Sequence, residues 1–261
     1  MTRRVRSGFP GEATGSIIGP SETPLPSLTT FNFTDPREVP AYSISEAAHY
    51  LGVPNSTLRS WFVGQTYLHH GERRQFRAVI RPADSNTKSL SFSNLVEAYV
   101  LTAIRRKHSI GLPTIRRGLT YLTEKLGSKR PLLEEQFATN GVDLFVERVS
   151  AIINISKNGQ IEMADLIRAY LERVERDAKG MPIKLYPFMR SQPPREQPRT
   201  VVIDPRVSFG RPVIAGTAIP TAALAEQFKA GDPVPVLAKE YGASEEAVWD
   251  AIRCELDLKA A

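Results

Sequence analysis

Cysteine is nearly missing from this chain: Cys254 stands alone among 261 residues. One thiol cannot close an internal disulfide, so no covalent framework is expected and a reducing compartment suits the chain. Histidine is scarce as well. His49, His69, His70 and His108 have no cysteine or paired acid at metal-ligand spacing, which excludes the familiar zinc patterns. No apolar run nears the ~20 residues that a membrane-spanning helix needs. The opening MTRRVRSGFPGEATGS carries cations with no apolar stretch behind them, so no secretory signal is read there. A phosphate-cradling glycine loop after a strand and a GxSxG nucleophile turn are both lacking. The expectation is a cytoplasmic protein that is not an enzyme and uses no metal and no cofactor.

What is present is globular, with 41% hydrophobic and 24% charged residues, and a formal charge of +6. The charge is unevenly placed. Residues 42–131 hold 14 cations against 5 acids, a net of +9, whereas residues 200–261 hold 6 against 9, a net of −3. A local excess of that kind is the electrostatic footprint of phosphate binding.

The basic block begins with SISEAAHYLGVPNSTLRSWF, residues 43–62, which reads as a helix-turn-helix. Ser43 and Glu46 form a capping box at the first helix. Ala47, Ala48 and Leu51 share a face, Gly52 breaks the helix, Val53 fills the corner and Pro54 opens the second helix. Leu58, Trp61 and Phe62 would face inward. That leaves Asn55, Ser56, Thr57, Arg59 and Ser60 outward, a polar surface with one cation and no acid, suited to phosphates and base edges. A wing is expected next, from β-like runs at 75–80 and 89–92 around Asp84, Ser85 and Asn86, with Arg73, Arg74 and Arg77 as phosphate contacts beside Arg81 and Lys88. A helix capped by Ser93 should follow over 93–107, with Leu95, Val96, Tyr99, Val100, Ala103 and Ile104 at helical spacing. Another helix should run from Pro113 to Gly127, with Arg116 and Arg117 projecting.

Residues 42–127 resemble the winged helix-turn-helix of MerR-type regulators. The likeness lies in the 43–62 core, the basic wing and the GLPTIRRGL helix. It implies binding to double-stranded DNA, usually as a dimer. No long coiled-coil helix or cysteine cluster follows, so metal-responsive activation does not carry over.

Residues 131–190 read as a mixed α/β module packed on the first domain. Phe145, Val149, Ala151, Ile153 and Ile155 suggest a strand, Asn158-Gly159 a hairpin turn, Met163 the start of a helix, and 181–188 a further strand. Residues 1–39 are read as a flexible arm, 40–130 as the winged domain and SQPPREQPR, 191–199, as a semi-rigid linker. Residues 200–261 should hold a short strand, turns at Gly210 and Gly216, and three helices punctuated by Pro220, Gly231, Gly242 and Ser244. The fold class expected is mainly α with small β-hairpins.

The last block resembles the small C-terminal domain, long of unknown function, of antitoxin-like proteins paired with PIN-type nucleases. The matching residues are Ile203, Asp204, Pro205, Phe209, Gly210, Pro212, Gly216, Thr217, Ile219 and Pro220, then Gly231 and Tyr241. The whole layout resembles the long members of the VapB antitoxin group. That resemblance implies a type II antitoxin that binds its own promoter and neutralises a PIN-like ribonuclease. Arg206, Phe209 and Arg211 are the candidate partner contacts, and a homodimer is expected. The alternative is a stand-alone MerR-like regulator that responds to a small ligand. Glu245, Glu246 and Asp250 in the last helix would repel phosphate, so the N-terminal unit is expected to read DNA.

Overall fold

A computed structural model of the chain describes residues 35–69, 72–106, 110–187 and 193–256, without the side chains of 67–69, 72, 74, 76 and 106. The architecture is mainly α, with three separate two-stranded antiparallel sheets among the described residues. The arm expected at 1–39 lies outside this range up to residue 34, as do His70, Lys107 and His108.

The helix-turn-helix forms as its punctuation dictates. In α1 (Ile44–Tyr50) the Ser43 hydroxyl accepts from the Glu46 amide at 3.1 Å, and the Glu46 carboxylate accepts from the Ser43 amide at 2.8 Å. Gly52 turns the chain at φ +60°, a conformation that costs other L-residues about 1–2 kcal/mol. Helix α2 (Asn55–Val63) buries Leu58, Trp61 and Phe62. The Trp61 carbonyl near its end accepts the amides of Val79 and Ile80, so the chain leaving the wing returns to brace the second helix.

The wing differs from expectation. Its hairpin is β1 (Gln65–His69) against β2 (Glu72–Phe76), paired Gln65 with Phe76 and Tyr67 with Arg74. The runs at 75–80 and 89–92 do not pair with each other. Asp84 takes that segment instead: its carboxylate accepts from the Asn86 amide and the Thr87 hydroxyl, both at 2.7 Å. Local side-chain bonds of this sort compete with a ladder. The far end, Leu90, bridges Tyr42 at the head of the helix-turn-helix.

Helix α3 (Phe92–Arg106) lies within the first and larger apolar core. Residues 91–104 are all buried, so the helix is enclosed on every side rather than amphipathic. Its cap is Ser91, whose hydroxyl accepts from the Asn94 amide at 3.2 Å; the expected cap, Ser93, donates instead to Glu38 at 2.5 Å. Glu97, 6% exposed, is matched by Arg130 at 2.7 Å, and Arg130 reaches on to Glu38 at 2.8 Å. Helix α4 (Leu112–Leu126) follows, and a π-turn at Phe137–Gly141 leads into α5 (Val142–Ile153). Gly118 lets α4 and α5 meet closely: a Cβ there would stand 2.6 Å from the Phe145 ring.

Residues 145–153 are therefore helical and not the expected strand, and Ile155 lies beyond the helix end. Phe145, Val146 and Val149 fall on one helical face and are buried. Asn154 ends that helix at φ +54°. Helix α6 (Lys157–Leu171) begins six residues before Met163, because the Ser156 hydroxyl accepts from the Gly159 amide at 3.2 Å. Asn158-Gly159 thus sits in a first helical turn and forms no hairpin.

Strands β3 (Val174–Arg176) and β4 (Pro182–Leu185) pair next. Leu185 bridges Ile203, and β5 (Val201–Val202) pairs with β6 (Val213–Ile214). The described part of the 191–199 segment is held to the body. Buried Arg173 donates to the carbonyls of Tyr186, Gln197 and Pro198 at 2.7, 2.9 and 2.8 Å. Helices α7 (Thr221–Ala230), α8 (Val234–Tyr241) and α9 (Glu245–Leu256) enclose a second apolar core around Leu224, Leu237, Val248 and Ile252. Gly231 and Gly242 close α7 and α8 in left-handed conformation, and the Ser244 hydroxyl accepts from the Ala247 amide at 3.2 Å. Val201, Ile203 and Cys254 belong to the first core, so the C-terminal block is packed into the rest of the molecule.

Candidate nucleic-acid interface

The outward side of α2 carries the residues singled out for DNA. Asn55, Ser56 and Arg59 are exposed, while Thr57 and Ser60 are half-buried. Two are already engaged: the Asn55 amide donates to Ser45 at 2.5 Å, and the Ser60 hydroxyl donates to the Thr57 carbonyl at 2.7 Å. Ser56 and Arg59 have no such partner among the described residues. No acid lies on α2.

Arg73 and Arg77 are exposed on and just after β2. Arg74 lies on β2 opposite Tyr67, and its side chain falls outside the described residues. Two further cations support this surface from behind. Arg116 on α4 donates to the Arg77 carbonyl and, at 3.4 Å, to that of Ala78, tying the base of the wing to the helical body. The Arg105 guanidinium lies 5.9 Å from the centroid of the Trp61 ring, a cation–π distance. Sequence reasoning had Arg116 simply projecting. No local signal marks a guanidinium that crosses 39 residues to reach a backbone carbonyl.

The C-terminal unit is electrostatically different. Helix α9 exposes Glu245 and Glu246, whereas Asp250 is fully buried and accepts from Thr200 at 2.5 Å and Arg253 at 2.8 Å.

The three residues expected to meet a protein partner occupy one loop, and they differ. Arg206 is clasped by Asp204 at 3.0 and 2.9 Å. Burial works to raise the Asp204 pKa, but the side-chain and backbone hydrogen bonds from Arg206 prevail and hold it below the ordinary carboxylate value. Arg211 pairs with Glu46 at 2.5 Å and lies 5.9 Å from the Tyr42 ring centroid. Next to it the buried Tyr42 hydroxyl donates to the Gly210 carbonyl at 2.7 Å. The C-terminal loop is thus latched to the capping box of α1, a junction that neither stretch reveals alone. Phe209 has no such engagement among the described residues. It is 94% exposed and sits at φ +54°, between Ser208 at +48° and Gly210 at +79°.

Among the described residues no helix is long and apolar enough to cross a membrane, and no cluster of His, Cys, Asp and Glu could hold a metal ion. Cys254 is buried, which raises its pKa and keeps it a thiol.

Comparison with known proteins finds likenesses for both of these stretches. The family described as "Putative DNA-binding HTH domain" matches residues 40–119, and that described as "Protein of unknown function (DUF433)" matches residues 201–253. The chain is 28% identical over 241 residues to the "Putative antitoxin VapB45" of Mycobacterium tuberculosis, covering 82% of this chain and 93% of that protein. Its fold is similar to the crystal structure of Rv2018 from Mycobacterium tuberculosis, with a TM-score of 0.59 and 23% identity over 82% of this chain and 98% of that one. The resemblance to the long VapB-type antitoxins read from the sequence is therefore shown.

Proposed function

We propose, from the premise that this chain is a relative of the long VapB-type antitoxins, that it is a DNA-binding antitoxin of a type II toxin–antitoxin pair. It represses its own operon through α2 and the wing, and it neutralises a PIN-like ribonuclease by direct binding. It acts by binding and not by catalysis. The observations that carry the DNA half are an acid-free outward face on α2 with exposed Arg59, and the exposed Arg73 and Arg77 on and just after the second strand of the wing. The antitoxin half rests on the named relative, matched across both domains. A homodimer would set two α2 helices in successive major grooves about 34 Å apart.

The rival reading, a stand-alone regulator, needs a ligand site within residues 132–190. Phe137, Phe145, Ile167 and Tyr170 of that stretch are spent on the core, and its exposed large apolar residues, Ile153 and Ile161, lie on the outside of helices α5 and α6.

Two measurements test the proposal together. Co-expression with the nuclease encoded beside it should restore growth that the nuclease alone arrests. The purified chain should also bind its promoter fragment more tightly than a scrambled duplex of equal length. Binding to the promoter without rescue would leave the regulator; rescue with equal binding to both duplexes would remove autorepression.

A further inference from the structure

An exposed phenylalanine is common enough, but one held in the left-handed region is not. That conformation costs about 1–2 kcal/mol for a residue with a Cβ, and it persists only where surrounding structure enforces it. Here both sides of the loop are fixed. Upstream, Asp204 grips the Arg206 guanidinium and backbone amide. Downstream, Gly210 is bonded to Tyr42 and Arg211 to Glu46. Between these two clamps Phe209 stands 94% exposed, the most exposed of the large hydrophobic residues described. Its ring meets the entropy cost of binding in advance, because the backbone beneath it is already set.

The charged groups of the loop bear on the kind of partner. Arg206 is neutralised by Asp204 and Arg211 by Glu46, so the base of the knob carries paired charge. The block from 200 to 261 is net −3, with 6 cations and 9 acids. A loop whose arginines are already paired offers a phosphate no free cation, whereas an uncharged, apolar recess in a protein can accept the ring. Single aromatic side chains entering such recesses carry a large share of binding energy at protein interfaces.

We propose that Phe209 is the anchor by which this chain seats on its nuclease partner, its ring filling an apolar pocket on that protein. This rests on the antitoxin reading above. The latch places the anchor on the same loop that grips α1, so nuclease and helix-turn-helix are held through neighbouring residues.

The test uses the full-length chain and the purified nuclease encoded by the adjacent reading frame, with affinity measured by calorimetry. Phe209→Ala and Phe209→Gly should each weaken the complex by about thirtyfold or more, the loss typical of a central aromatic. Phe209→Leu should stay within about tenfold of the parent, because it keeps an apolar side chain. The glycine variant separates binding from folding. Glycine accepts positive φ freely, so its melting temperature should hold or rise while the complex is lost, and promoter affinity should not change. If the unaltered chain binds the nuclease and the alanine and glycine variants bind within threefold of it, the anchor is wrong although the antitoxin reading stands. If the unaltered chain does not bind the nuclease, both fall. Loss of promoter affinity, or a change of self-association in the alanine variant with nuclease affinity intact, would overturn the anchor in favour of a DNA wedge or a second copy.

Discussion

Replacing Gly210 by alanine would probe the junction between the C-terminal loop and the helix-turn-helix. Gly210 adopts φ +79°, and a Cβ there would stand 2.4 Å from the Tyr42 hydroxyl and 3.3 Å from its ring carbon. Two costs add. The backbone costs about 1–2 kcal/mol for a residue with a Cβ. The hydroxyl is displaced from the Gly210 carbonyl it bonds at 2.7 Å, and Tyr42 is 1% exposed, so water cannot replace the bond. Leaving such a buried pair unsatisfied costs about 1–3 kcal/mol. Together the loss is about 2–5 kcal/mol. Gly216 is the internal control: it has φ +80° and nothing within 4 Å of its would-be Cβ. Gly216→Ala should therefore show the backbone cost alone. For a chain of this size each kcal/mol moves the melting temperature by about 2–4 °C. Gly210→Ala should then melt about 2–12 °C below Gly216→Ala, followed by circular dichroism or calorimetry. Equal melting temperatures in the two variants would refute the latch, since the neighbourhood of Tyr42 is what distinguishes the two sites.

Other outcomes follow from the charged groups. Arg59→Ala should cost about 1–3 kcal/mol of promoter binding and relax discrimination at the base it reads, whereas Arg73→Ala and Arg77→Ala should each lower the salt slope by ~0.9 with little loss of discrimination. Unchanged affinity and slope in all three would remove α2 and the wing as the binding surface. The Asp204 carboxyl, with a folded pKa below its ordinary value, stabilises the loop above the ordinary carboxylate range, and that contribution is lost as pH falls through the depressed folded value. Denaturant titrations from pH 6 downward should show a shallower acid loss in Asp204→Asn than in the parent; identical pH profiles would mean the Arg206 clasp contributes nothing.

How far the fold could be read from sequence depended on whether local punctuation matched local structure. The 43–62 unit and the three C-terminal helices were legible because Ser43, Glu46, Gly52, Gly231, Gly242 and Ser244 each act within four residues of themselves. The middle was misread for the opposite reason. Phe145, Val149, Ala151, Ile153 and Ile155 imitate strand alternation, and Asn158-Gly159 imitates a hairpin, but packing of α5 against Gly118 on α4 and the cap from Ser156 decide otherwise. The wing was placed too late, since the Asp84 turn consumes the polar groups that a ladder would use. Of the site, the polar side of α2 was legible. The contacts that hold it in place were not: Arg116 to the wing and Tyr42 to Gly210 join residues far apart in sequence, and only the folded chain brings them together.

The chain contains two helix-turn-helix-like units, and on the charge of their exposed faces we propose that α2 is the DNA reader. Glu245 and Glu246 are both exposed on α9. Two carboxylates held about 7 Å from phosphates in water would each be repelled by about 0.6 kcal/mol, before any desolvation. Truncating the C-terminal block is a poor way to ask which unit binds, because Val201, Ile203 and Cys254 belong to the first core and their removal would open it. Charge reversal at the surface asks the question without disturbing packing. In the double variant Glu245→Lys, Glu246→Lys, promoter affinity should remain within about threefold of the parent, since neither side chain lies on the binding face. If α9 were the recognition helix, its acids would be reading cytosine amino groups, each such contact being worth about 1–3 kcal/mol. Reversing both would then cost tenfold or more and degrade discrimination between promoter and scrambled duplex. A loss of that size, with the melting temperature unchanged, would move the DNA-reading surface from α2 to α9.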